Sequence, residues 1–282
     1  MRAPGRGTRT AVILMVVLLL AGLAAVALAN SGKEVSEQFG GNGGQGNPGV
    51  LPPNANPFGM SYGQWGAEWW KWALSVPFAV NPMNDQTGAN AAQGQSGRVW
   101  FLAGTFCVDI NAGCALATAT RTCTVPAGKG IFFPILNSEC STFEGNGTTY
   151  AELRDCARAA GDIATGLACE VDGVSLGNLD AYRATSGLFT WGPLPDGNIL
   201  EAFGLPNTVG ATSAAAQDGF YIMLAPLKTG PHTIHFAGAF GSSFALDVTY
   251  HLTVGGLGRS ADPTDMTPVK PMTWGSLKTI YR

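Results

Sequence analysis

Charge is what this 282-residue sequence has least of. Asp, Glu, Lys and Arg make up 12% of it, about half the usual share. The chain must therefore cover its surface with Ser, Thr, Asn, Gln and its 39 glycines. No basic stripe is present, which argues against nucleic acid and against an anionic membrane surface as partners. Histidine is scarce, with three in all. There is no C-x-x-C, and no histidine stands near a cysteine, so a structural zinc site is not indicated. No G-x-S-x-G elbow, no P-loop and no G-x-G-x-x-G before a helix occurs, so neither a serine hydrolase nor a nucleotide site is signalled.

Long apolar runs are also few. The one at residues 11–29 follows Arg2, Arg6 and Arg9 and ends in Ala27-Leu28-Ala29. This is the pattern of a cleaved secretory signal, with an uncleaved anchor as the alternative reading. Its removal leaves 13 basic against 19 acidic residues, a net charge of −6. No stable membrane span is expected after cleavage. The expected localisation is secreted, periplasmic or cell surface.

Six cysteines follow: Cys107, Cys114, Cys123, Cys140, Cys156 and Cys169. An even number beyond an export signal reads as disulfides. Neighbours along the chain suggest Cys107 with Cys114 or Cys123, and Cys140 with Cys156.

Residues 30–60 are rich in Gly, Asn and Pro and read as a linker. The domain is expected over residues 61–254. It opens on SYGQWGAEWWKWALSVP, which holds four of the seven tryptophans. Ser61 and Gln64 have the spacing of a capping box, and Pro77 ends the helix. Trp65, Trp69 and Trp72 share one face, with Glu68 at its edge. Such a stripe is either core or an aromatic platform for a flat ligand oriented by Glu68.

A long polar loop at residues 81–97 precedes the strands. Residues 98–107 and 130–136 read as buried strands, the second with Pro134 marking an edge or a bulge. Residues 117–125 alternate, with Thr118, Thr120, Thr122 and Thr124 on one face. Thr149 or Thr148 caps a helix from Tyr150 to about Ala160. Asp172-Gly173 turns a hairpin. Residues 219–227, 232–239 and 244–254 read as a three-strand meander. Asp218 and Tyr221 hint at a tyrosine corner. Many short strands with two short helices predict a mainly β, disulfide-stapled sandwich of immunoglobulin-like or jelly-roll type. Residues 255–282 read as a Pro-rich linker and short tail.

YGQWGAEWWKWALSVP, VWFLAG and RTCTVPAGKGIFFPILNSEC, taken together, resemble a family of exported bacterial proteins known mainly as hypothetical secreted proteins. The resemblance runs from about Ser61 to Val254. It implies a bacterial, exported, single-domain protein and transfers no catalytic residue.

Three functions follow as expectations. The first is non-catalytic binding of carbohydrate or another envelope component, with Trp65, Glu68, Trp69 and Trp72 as contacts. The second is a glycan-active hydrolase using Glu139 and Glu144, or His235 and His251, which lie on adjacent predicted strands near Asp247. The third is a structural subunit that self-assembles by strand addition. No cofactor is predicted. Ca²⁺ held by Glu139, Glu144 and nearby Asn is the one metal that the loop at residues 137–147 suggests.

Overall fold

A computed structural model describes residues 49–106 and 116–255. The expected signal, most of the linker, the C-terminal tail, Cys107 and Cys114 lie outside the described residues. In chain order the elements are α1 (Tyr62–Ser75), β1 (Val99–Phe101), β2 (Ala117–Pro126), β3 (Gly130–Ser141), α2 (Tyr150–Asp162), β4 (Ala164–Val171), β5 (Val174–Ser175), β6 (Arg183–Thr185), β7 (Phe189–Trp191), α3 (Ile199–Ala202), β8 (Ser213–Leu224), β9 (Gly230–Phe240) and β10 (Phe244–Gly255).

The strands form two five-stranded sheets, so the expected mainly β architecture holds. One sheet runs β1-β3-β8-β6, with β7 also on β8; the other runs β2-β10-β9-β4-β5. Phe133 of β3 stacks on Phe236 of β9 with ring centres 5.0 Å apart, which joins the sheets face to face. The expected meander does not form. β8 pairs with β3, β6 and β7, whereas β9 pairs with β10 and β4 in the other sheet. β8 is buried along nearly its whole length, and so it sits centrally rather than on a half-solvated hairpin.

Both main helices start where their caps predict. Ser61 and Gln64 close a capping box on α1, and Thr149 and Glu152 close one on α2. α2 covers one face of the first sheet, where Cys140 of β3 is bonded to Cys156. Cys123 and Cys169 are free thiols, which corrects the expectation that they join disulfides. They lie on β2 and β4 with two strands between them and are also offset along the strands, so they are more than about 14 Å apart at the usual strand spacing and beyond disulfide reach. Burial pushes their thiols up, to about 11 for Cys123 and about 12 for Cys169.

Ordered contacts begin before Ser61. Leu51 N–H donates to Met223 O, and Tyr62 donates to Leu51 O. The long loop is built of turns with internal bonds. Gln95 exchanges two hydrogen bonds with the backbone of Phe101, standing in for a neighbouring strand residue. The corner suggested by Asp218 and Tyr221 is absent. Asp218 instead binds Arg183, and Tyr221 donates to the Gln217 side chain.

One irregularity positions the site. The β3–β8 register shifts between Pro134 and Leu136. Before that bulge, Phe132 stacks on Tyr221 and meets Tyr62 and Trp65 of α1. Simple alternation would carry Leu136 and Ser138 to that same face. The extra residue resets the phase. Ser138 now donates to Ala157 O on α2, and Asn137 approaches the Tyr221 hydroxyl. Glu139 follows Asn137 in the alternation and comes to the same side.

Candidate carboxyl-pair cleft

The aromatic platform does not form on the surface. Trp65, Trp69 and Trp72 are 9%, 1% and 6% exposed. Their indole N–H groups donate to the carbonyls of Pro57, Leu102 and Gln93. A helix this short gains its stability from docking, and its indoles are what dock. Glu68 stays outside and pairs with Lys71 at 2.8 Å.

His235 and His251 do stand on adjacent strands near Asp247, but not directly opposite each other. In the β9–β10 register His235 faces Thr249, and His251 faces Thr233. They are diagonal neighbours on the outer face. His235 Nε2 lies 3.0 Å from Asp247 instead, and His251 is exposed. Among the described residues no three His, Cys, Asp or Glu side chains are grouped to hold a metal ion.

Glu139 and Glu144 are brought together. Glu139 projects from the reset part of β3. Glu144 returns on the tight turn after it, where Ser141 Oγ donates to Glu144 Oε2 at 2.6 Å and accepts from its backbone N–H. Asn146 Oδ1 accepts from Ser141 N–H and fixes that turn. The two carboxyl groups line the same cleft and lie close enough to act directly on each other. Trp191 Nε1 donates to Glu139 Oε1 at 2.8 Å from the far end of β7.

Burial pushes the carboxyl of Glu139 well above the usual range, and the neighbouring Glu144 raises it further. Burial raises Glu144 too, but the bonds it accepts from Ser141 and Glu139 offset part of the rise. Like charges this close cannot both ionise readily. The pair therefore titrates as a unit, and Glu139 is the more strongly raised of the two. Glu139 is enclosed by protein yet keeps some accessible surface, because it faces a cleft.

That cleft opens where both sheets and α1 meet. It spans about 740 Å³ counted out to its open mouth. Its walls include Trp69 and Trp70 from α1, Phe106, Leu200 from α3, and Phe240 and Phe244 from the second sheet. Apolar walls with a few convergent polar groups and perturbed carboxyls are the usual form of a ligand site. Beside the pair, the Trp70 and Asn137 N–H groups turn towards the Tyr221 hydroxyl, and neither completes a hydrogen bond.

Sequence reasoning named Glu139 and Glu144 but not their partner Trp191, which lies in a stretch without clear periodicity. No local signal ties residue 191 to residue 139; only the β7–β8–β3 order does. No family model matches this chain, and no curated protein or solved structure matches it.

Proposed function

We propose that this is an exported, non-catalytic binding protein whose ligand enters the cleft at Glu139 and Glu144. The observation that carries this reading is the pair of adjoining carboxyl groups in an otherwise largely aromatic and aliphatic cleft. Binding is favoured over glycan hydrolysis by geometry. A retaining glycosidase holds its carboxyls about 5–5.5 Å apart and an inverting one further still, whereas these two act directly on each other. Burial of the tryptophan face removes the surface platform that first suggested a polysaccharide, and the cleft admits only a small molecule or the end of a larger one.

A fragment screen read by tryptophan fluorescence tests this, because Trp69 and Trp70 line the cleft. The companion variant is Leu200→Trp, which fills the cleft from its α3 side. Fragments that bind wild type are expected to lose affinity in Leu200→Trp. Hits that bind both proteins equally would move the ligand site elsewhere.

A further inference from the structure

The pair lacks a counter-cation. None of the side chains lining the cleft is Lys, Arg or His. The ion pairs formed among the described residues involve neither Glu139 nor Glu144. A buried carboxylate without a cation is costly, and proteins escape that cost by keeping a proton or by binding a positive group. Here the chain keeps the proton. A ligand can supply the positive group.

The walls suit such a ligand. Trp69 and Trp70 stand at right angles with ring centres 5.2 Å apart, and Phe106, Phe240 and Phe244 complete an aromatic surround. Aromatic faces attract cations, most strongly where water is excluded.

We propose that the cleft binds a small ammonium compound with an apolar body, the ammonium seated between the carboxyl groups of Glu139 and Glu144. This rests on the cleft being the ligand site. The proton balance is simple. The free site holds one proton between two carboxyl groups. The bound site holds two carboxylates and the ammonium, and up to one proton passes to solvent.

Leucinamide and 4-methylpentanamide provide the test. They share the carbonyl and the branched apolar body and differ in the amine. Titration calorimetry of the mature protein near neutral pH, run in phosphate and in Tris, gives affinity and proton release together. The expected result is tighter binding of leucinamide by about tenfold or more, with release of up to one proton. Glu144→Gln is expected to lose that preference. Because Gln keeps the shape of Glu, a cooperative melt of this variant verifies that it folds. The wild-type preference should also weaken as pH falls and the pair holds its proton more tightly. Equal binding of the two compounds, lost in Leu200→Trp, would overturn the ammonium ligand and leave the cleft as the site. Equal binding that Leu200→Trp leaves intact, or binding of neither, would overturn both.

Discussion

The Arg121 guanidinium donates to the Tyr250 hydroxyl at 2.7 Å, and neither side chain reaches solvent. Arg121 Nε and the two terminal nitrogens also reach the carbonyls of Asp85, Ala103 and Gly104. Tyr250 donates to Ala103 O. One buried cation thus ties the long loop and the chain after β1 to the second sheet, and with them Met83, Gly104 and Thr105 of the cleft wall.

Removing that cation leaves several carbonyls inside without donors. Arg121→Met is expected to lower stability by about 3–5 kcal/mol. Urea unfolding followed by circular dichroism measures this. A loss below about 1 kcal/mol would show that the loop is not held this way.

Glu139 is raised by burial and by Glu144, so the native state holds a proton that the unfolded chain releases above about pH 4.3. A raised carboxyl makes stability fall as pH rises through that window. Glu139→Gln can still accept from Trp191 and donate to Glu144. It is expected to be more stable than wild type at pH 7 by about 1–3 kcal/mol, with the difference vanishing below about pH 4. Melting temperatures across pH 3–8 show whether the two curves converge at the acid end.

His232 gives a window of the same sign at higher pH. Its Nδ1 lies 2.7 Å from Asp172 Oδ2 and its Nε2 lies 2.8 Å from Lys228 O. Both neighbours accept, so only the doubly protonated ring satisfies both. Burial works against the charge, but these bonds and the Asp172 charge outweigh it and raise the pKa. The stabilisation is complete below the unfolded value near pH 6.5 and is lost as pH rises through the folded value. His232→Gln is therefore expected to cost stability at pH 5 and little at pH 9. A uniform loss at both would place the effect in packing instead.

The Cys140–Cys156 bridge spans 16 residues and encloses Glu144. Loop-closure entropy for that length is about 3 kcal/mol. Changing both cysteines to Ser is expected to lower stability by about 2–4 kcal/mol. Equilibrium unfolding of the double variant, compared with wild type under non-reducing conditions, measures that loss.

Trp69 is buried and its N–H is bonded to Leu102 O. Trp69→Phe leaves that carbonyl without its donor and a gap in the wall, at a cost of about 2–3 kcal/mol. Iodide is expected to quench Trp69 emission weakly, assessed from the difference between wild type and this variant.

Short-range chemistry was legible in the sequence alone. The capping box of α1, the threonine cap of α2, the Asp172-Gly173 turn, the alternation of β2, the bulge at Pro134 and the Cys140–Cys156 pair each depend on residues close together in the chain. Glu139 and Glu144 were named for the same reason, five residues apart on one loop. Whether the tryptophans face solvent or core is decided by what α1 docks on, and helical spacing is the same in both cases. The partner sheet of β8, the separation of Cys123 from Cys169 and the diagonal offset of His235 and His251 follow from strand order, which no local pattern encodes. The reach of Trp191 to Glu139 belongs with them. The sequence by itself therefore determined the elements and the carboxyl candidates. Only the tertiary structure decided that the carboxyls meet in a cleft, because that requires burial and burial is a property of the whole packed chain.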